Sequence, residues 1–511
     1  MQFDTNRFKS IPLHPFLIAG YAVLALLGHN IEEIPPVVAL RGLLVTLAAC
    51  TIIYLGNRLW LKDWRKAAIL TTIMLVLFFS YGHVYDYLEG IHSLGRHRYL
   101  APIYLGLFIL SVWWIRKEKR DLRAANHFIN LIAVVALVFP LYQITLFAFR
   151  SSGAAAESAH ASETASDLTL PKNQPAPDIY YIILDAYARD DALAEDYGLD
   201  NKPFLKELSD QGFYVATCSQ SNYAQTQLSL GSSLNMNFLN TLSRHFVAGS
   251  TTRVGLDEII HNNTVRRELK SLGYKTVAFE TGFMGTQWEN ADLYLSPRNP
   301  GLLGGGLNDF EVMLLRTSGG LLLQDGVISL PKYIQPDFNN PRRIHRDLIL
   351  YDLDQLAKLP SVPGPKFVFA HMVIPHPPYV FGPNGEFTDF DKDPYSGYRD
   401  QIEYINKRIV PVLEKIIHDS ATPPIIIVQG DHGSVNAPPN LRMDILNAYY
   451  LPDGGAQALY KNISPVNTFR VIFNTYFGGK YPLLEDVSYY SIYQHPFDYT
   501  VIPNTRPGCN P

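Results

Sequence analysis

The side chains in this 511-residue chain best suited to metal, acid–base or nucleophilic chemistry sit in separate short stretches. Gly430-Asp431-His432-Gly433 places a carboxylate beside an imidazole directly after Ile425-Ile426-Ile427-Val428-Gln429. Such a pair can ligate a divalent cation, although a capping Asp next to a surface His reads equally well from the residues alone. Asp185 closes the apolar run Asp178–Leu184 and is either another acidic ligand or a turn cap. Thr226 begins a helical pattern that runs to about Leu239. At a helix N-terminus, free N–H groups and the macrodipole favour an anion and help stabilise a threonine alkoxide, while an ordinary Thr N-cap is the plainer reading. Finally, Phe369-Ala370-His371-Met372-Val373-Ile374-Pro375-His376-Pro377-Pro378-Tyr379 carries two histidines on a proline-rich loop after a strand. Imidazoles held there can bind a metal or meet a phosphate oxygen.

Something must bring these stretches together. Buried-strand patterns occur at Asp178–Leu184, Tyr274–Phe279, Lys366–Ala370, Ile425–Gln429 and Ala448–Leu451. Helical patterns intervene at about 203–211, 263–272, 343–358 and 399–419. Strands alternating with helices predict an α/β domain with a mostly parallel central sheet, whose carboxyl edge is the usual ligand crevice. The reactive residues all fall at strand or helix ends. A long irregular stretch from about 281 to 340, including Gly304-Gly305-Gly306, exceeds what a connection needs and serves a site or moves. Glu280, Trp288 and Arg442 stand near strand ends as pocket candidates, with structural roles equally open.

The first 150 residues are different in kind. Apolar blocks at about 12–29, 36–55, 67–87, 100–115 and 127–149 predict five membrane spans. Arg58, Lys62, Arg65 and Lys66 follow the second block, and Arg116, Lys117, Lys119, Arg120 and Arg123 follow the fourth. The positive-inside rule makes those loops and the N-terminus cytoplasmic, and everything after residue 150 extracytoplasmic. Arg41 and Tyr85-Asp86-Tyr87 are polar points near the spans, lining a headgroup path or snorkelling. Residues 151–177 have the composition of a linker, leaving 178–511 as the α/β domain. A net charge of -4 from 43 basic and 47 acidic residues argues against nucleic acid. Three cysteines, Cys50, Cys218 and Cys509, exclude a thiolate zinc site; Cys218 and Cys509 can pair only outside the cytoplasm.

With these pieces in view, the chain resembles the alkaline-phosphatase superfamily. It is similar in particular to the membrane-bound sulfatase-like branch of lipoteichoic acid synthases, phosphoglycerol transferases and phosphoethanolamine transferases. The resemblance rests on Tyr180–Asp185, Thr226-Gln-Leu-Ser229-Leu, His371 through His376-Pro-Pro-Tyr, Gly430-Asp-His-Gly433 and Ile463–Thr468, and in the first half on architecture alone. It implies that Asp185, Thr226, Asp431 and His432 hold a divalent ion, zinc or manganese and one or two in number. It also implies that Thr226 is the nucleophile, and that His371 and His376 bind substrate, with His376 able to protonate a leaving oxygen. The implied reaction moves phosphoglycerol or phosphoethanolamine from a phospholipid to a glycan, lipid or polymer through a phosphothreonine. The alternatives are a phosphodiesterase or phosphatase using water, or a catalytically silent lipid-binding regulator. Asp185 departs from the Glu of lipoteichoic acid synthases and phosphoethanolamine transferases, which leaves the donor open. Thr226 cannot become formylglycine, which argues against sulfate-ester hydrolysis.

Overall fold

Six consecutive apolar residues, Ile179–Leu184, form the central strand β1, and every one of them is buried. In the computed structural model, residues 11–32, 34, 36–91, 96–160, 168–170, 175–297, 307–328 and 341–509 are described. The other strands of the main sheet are β2 (Tyr214–Val215), β3 (Lys275–Phe279), β4 (Leu293–Leu295), β5 (Lys366–Met372), β6 (Ile425–Gln429) and β7 (Asn447–Tyr450). They lie in the order β2-β7-β6-β1-β5-β3-β4. β6, β1, β5, β3 and β4 run parallel; β7 alone runs against them, pairing antiparallel with β6 on one side and with the edge strand β2 on the other. The mostly parallel sheet of an α/β domain is therefore present. Short edge strands β2 and β4 carry too few residues to show a period in sequence.

Strand alternation divides β1 between two cores. Tyr180, Ile182 and Leu184 pack with Leu193, Phe204, Leu353, Ile405 and Leu413, under helices Asp190–Tyr197, Lys202–Asp210, Pro341–Leu356 and Pro394–Asp419. Ile179, Tyr181 and Ile183 pack with Leu230, Leu269 and Phe473, under helices Thr226–Ser233, Thr264–Ser271 and Pro465–Tyr476. Each fully buried aliphatic side chain contributes about 1.5–3 kcal/mol. Register then sets the functional edge: Ile183 pairs with His371 on β5 and with Gln429 on β6. The residues just beyond, Asp185 and Asp431, therefore emerge side by side. β5 runs two residues past the expected Ala370, because Leu184 pairs with Met372. His371 is consequently a strand residue and not a loop residue.

By compactness the chain divides into Met1–Phe149 with Arg298–Phe338, and Arg150–Pro297 with Asn339–Pro511. Among the described residues of the first unit, four helices are long and apolar enough to cross a membrane: Pro36–Leu61, Trp64–Gly90, His97–Lys117 and Arg123–Arg150. The expected first span is the shorter apolar helix His14–His29, of 16 residues. Large apolar side chains face outward, with Val138 62% and Phe139 65% exposed on the last of the long helices. Such a surface is stable only against lipid or a partner. The two basic loops meet: Lys66 Nζ donates to the Glu118 carbonyl at 2.6 Å, and Arg65 lies 3.5 Å from Asp121.

The stretch read as irregular from 281 to 340 contains helices Asp309–Arg316 and Leu321–Gln324, which belong to the first unit; Gly304–Gly306 lie outside the described residues. Arg41 pairs with Glu311 of this insertion (Nε to Oε1 2.6 Å), which gives its charge a carboxylate partner. Tyr85 stacks on His97 at 4.3 Å, and His97 Nε2 lies 2.7 Å from Asp325. A Cβ on Gly82 would stand 2.2 Å from the Arg316 carbonyl oxygen, so this close approach requires glycine. The helix that begins at Arg123 continues to His160, into the stretch read as linker, and the Thr169 N–H donates to the Phe477 carbonyl at 2.9 Å. Cys218 and Cys509 form a disulfide across 291 residues, and Cys50 is free and buried.

Candidate metal and nucleophile site

The carboxyl ends of β1, β5 and β6 converge on one buried cluster. Asp185, His371 and Asp431 offer ligand atoms that all lie within 4.8 Å of one another, and none of the three is more than 3% exposed. Ala186, at φ 65°, turns the chain just after β1 so that its N–H donates to Asp431 Oδ1 at 2.9 Å. A left-handed non-glycine costs about 1–3 kcal/mol and marks a site that the surroundings hold in place. Gly430 and Gly433 serve by close approach, not by a left-handed turn. A Cβ on Gly430 would meet the Tyr187 carbonyl oxygen at 2.3 Å, and one on Gly433 the Leu441 carbonyl oxygen at 2.8 Å.

Hydrogen-bond accounting reveals what the cluster lacks. Asp185 Oδ1, Asp431 Oδ2 and His371 Nε2 are buried without a hydrogen-bond partner. Thr286 Oγ1 lies 2.7 Å from His371 Nδ1 and donates its own proton to the Phe283 carbonyl at 3.1 Å. With Nδ1 carrying the hydrogen toward Thr286 Oγ1, Nε2 of the neutral ring turns a lone pair toward Asp185 Oδ2, 3.3 Å away. His432 repeats the pattern. Its Nδ1 donates to the Gly433 carbonyl at 2.7 Å, and its Nε2 lies 3.7 Å from Asp185 Oδ1 and 3.5 Å from Asp431 Oδ2. Two imidazole lone pairs pointed at two carboxylates repel unless a positive charge sits among them. Histidines that give their outer N–H to a hydroxyl or carbonyl and turn the other nitrogen inward are the pattern of metal ligands. The residues present fit a divalent cation.

Electrostatics agree in direction. Burial pushes the Asp185 carboxyl upward, but His376, His371 and His432 overcome it and hold the acid below its usual range. Burial lowers the His432 imidazole, against the pull of Asp431. Asp185 is thereby held in its anionic form and the His432 imidazole in its neutral one, the protonation states a cation requires.

Thr226 is the first residue of helix Thr226–Ser233, and Gln225 occupies the N-cap position. The threonine is thus not the cap. Its Oγ1 lies 3.3 Å from His432 Nε2, at the margin of the cluster. The helix ends at Ser233, earlier than Leu239, where the chain turns through the left-handed Met236. His376 is further out. Its ring centre is 6.4 Å from that of His432, its N–H donates to the Asp185 carbonyl at 3.1 Å, and its Nδ1 donates to the Pro377 carbonyl at 2.6 Å. The buried Gln401 amide holds the carbonyls of Pro375 and His376 at 3.1 Å each, which makes the loop stiff. The six site residues expected from sequence therefore gather at one sheet edge, with His371 among the carboxylates and His376 at the rim.

The pocket candidates separate. Arg442 Nε donates to the Ala224 carbonyl at 2.9 Å and Nη1 to the Val435 carbonyl at 3.0 Å, tying the Thr226 segment to the Asp-His loop. Trp288 is fully buried and stacked on Phe369 at 4.2 Å, a core residue. Glu280 is buried and accepts from Ser296; burial first, and the nearby Glu280 second, push the carboxyl of Asp352 on helix Pro341–Leu356 well above the usual range. Thr286 was not legible beforehand. Only the contact with His371 distinguishes it from other threonines.

No family model matches the chain, and no curated protein matches it in sequence. Solved structures do resemble it. The C-terminal periplasmic domain of EptC from Escherichia coli, in complex with Zn, is 12% identical with a TM-score of 0.41, over 63% of this chain and 92% of that one. The integral membrane protein lipooligosaccharide phosphoethanolamine transferase A (EptA) from Neisseria meningitidis is 11% identical with a TM-score of 0.39, over 92% of this chain and 95% of that one. A protein in the alkaline phosphatase superfamily from Vibrio parahaemolyticus is 13% identical with a TM-score of 0.38, over 67% and 81%.

Proposed function

We propose that this chain is a metal-dependent phosphotransferase that moves a phospho-headgroup, phosphoglycerol or phosphoethanolamine, from a phospholipid to a hydroxyl of a glycan, lipid or polymer. The observation that carries the reading is the meeting of Thr226 Oγ1 with a buried cluster whose Asp185 Oδ1, Asp431 Oδ2 and His371 Nε2 have no hydrogen-bond partner. Asp185, Asp431, His432 and His371, with Thr226, would hold the ion, zinc or manganese by their oxygen and nitrogen donors. When bound, the ion supplies positive charge that lowers the pKa of a hydroxyl and offsets charge on a phosphoryl oxygen.

The chain's own groups divide the remaining work. Thr226 Oγ1 gives up its proton to solvent and forms a bond to phosphorus as the bond to the diacylglycerol oxygen breaks. His376, held through Nδ1, gives a proton from Nε2 to that leaving oxygen. The acceptor hydroxyl then passes its proton to the vacated His376 Nε2 and attacks the same phosphorus, and the Thr226 ester bond breaks as Thr226 takes a proton back from solvent. A membrane-bound, extracytoplasmic site with five spans, the first being His14–His29, suits a lipid donor. The joined basic loops support that orientation by the positive-inside rule, and the Cys218–Cys509 disulfide fits an oxidising compartment.

The test uses vesicles carrying headgroup-labelled phosphatidylethanolamine or phosphatidylglycerol, beginning with phosphoethanolamine because similar structures are named for its transfer. Wild-type protein should acquire label on Thr226, and Thr226→Ala and Asp431→Ala should not. Label retained in either variant refutes the mechanism. Release of free headgroup phosphate without a modified acceptor would instead make water the acceptor.

A further inference from the structure

The flanks of Thr226 are held by a single buried side chain from another part of the fold. Arg253 is 6% exposed. Its Nη1 donates to Gln227 Oε1 at 3.0 Å, and its Nη2 donates to Gln225 Oε1 and, at 3.2 Å, to the Tyr493 carbonyl. The Tyr493 ring lies against the guanidinium, 4.0 Å from its carbon. Gln225 and Gln227 are the residues immediately before and after Thr226. One planar fork thus grips both neighbours of the nucleophile.

The glutamines are fixed at their other ends as well. Gln225 Nε2 donates to the Ser491 carbonyl at 3.1 Å and to Ser491 Oγ at 3.0 Å, and Gln227 Nε2 donates to Asp257 Oδ1 at 2.8 Å. Gln225 is the N-cap, with extended backbone at φ -138° and ψ 139°, and its side chain makes no capping bond. An N-cap without a side-chain cap leaves the first helical residue free to fray. Here Thr226 is that residue, and its hydroxyl must stay 3.3 Å from His432 Nε2. Holding the side chains on either side of it replaces the absent cap.

We propose that Arg253 is a positioning residue for the Thr226 hydroxyl, acting through Gln225 and Gln227; this rests on the reading of Thr226 as nucleophile. Lysine cannot replace it, because an ammonium lacks the flat, divergent donors that reach two amides and a carbonyl at once. A misplacement of about 1 Å at a reacting atom costs on the order of 10²-fold in rate.

Arg253→Met and Arg253→Lys in the full-length protein should form labelled Thr226 about 10²-fold more slowly, with the KM for labelled phosphatidylethanolamine or phosphatidylglycerol vesicles and the bound metal unchanged. The double variant Gln225→Ala/Gln227→Ala should lose as much, and adding Arg253→Met to it should cost no more, as expected of groups acting as one unit. A structure of Arg253→Met should show Thr226 Oγ1 withdrawn from His432 Nε2. An unchanged separation, a wild-type rate in folded protein, or a loss seen only in KM overturns the proposal without needing the donor to be known. If Arg253→Met does not fold, a wild-type rate in the double glutamine variant overturns it. Label retained in Thr226→Ala sinks the underlying reading instead, a separate result.

Discussion

His14 and His371 are both completely buried imidazoles, one in each unit of the chain, and they are kept in opposite ways. His14 Nδ1 lies 2.6 Å from Thr72 Oγ1 and its Nε2 lies 3.0 Å from Asn126 Oδ1, so both nitrogens are matched by neutral partners from other helices. His371 is matched on one side only, by Thr286, and turns its other nitrogen onto carboxylate oxygens. A buried polar atom that has a partner ties a fold together. One left without a partner among acids costs stability until something positive arrives. The lesson is that burial alone does not mark a functional histidine; what its second nitrogen faces does.

The sharpest break in this contrast would come from Asp431→Ala. It should abolish stoichiometric metal, read by elemental analysis, and lower turnover by at least about 10³-fold while the protein remains folded. Normal metal content would remove the cluster from consideration. Next in size, Thr286→Val should weaken metal binding by about 10–100-fold by freeing the His371 ring, measured by competition with a chelator. Equal affinity would mean that Thr286 does not fix that imidazole.

On the other side of the contrast, His14→Ala should destabilise the protein by about 1–3 kcal/mol by stranding Thr72 and Asn126, seen as a lower unfolding temperature in detergent. Turnover per folded molecule should not change, and a selective loss of catalysis would place His14 in the machinery.

A third imidazole tests whether an unmatched nitrogen is enough. His261 Nε2 is also buried without a hydrogen-bond partner, but burial, reinforced by Arg266, pushes that group down to about 4 from an ordinary 6.5. The folded pKa is below the unfolded one, so between pH 6.5 and 4 the unfolded chain binds more protons and stability falls as pH falls. Metal-free protein should lose about 2 kcal/mol from this group by pH 5, and His261→Gln should flatten that slope. Unchanged acid sensitivity in the variant would show that the ring already titrates near its ordinary value.

Much of this was legible before any fold was known, and the legible parts share a cause. The strands of the sheet centre announce themselves because burial on both faces demands uninterrupted runs such as Ile425–Val428, and apolar helices announce themselves by length. Asp185, Thr226, His371, His376, Asp431 and His432 were readable because reactive side chains at element ends stand out against apolar runs. The edge strands β2 and β4 and the helices of the 307–328 stretch were not, since two or three residues show no period and packing on other helices decides the rest.

What the order of residues determined alone was the inventory: apolar helices, an α/β sheet, and a set of acids, imidazoles and a hydroxyl at the ends of its elements. Tertiary structure decided how that inventory is spent. Register beside β1 drew His371 out of its loop and into the carboxylates, packing turned Trp288 inward against Phe369, and Arg41 found Glu311 across 270 residues. Arg253 reached the flanks of Thr226 from another helix's approach. Periodicity and residue type act along the chain, whereas a lone pair, a cation or a guanidinium is satisfied only by whatever the fold brings within about 3 Å of it.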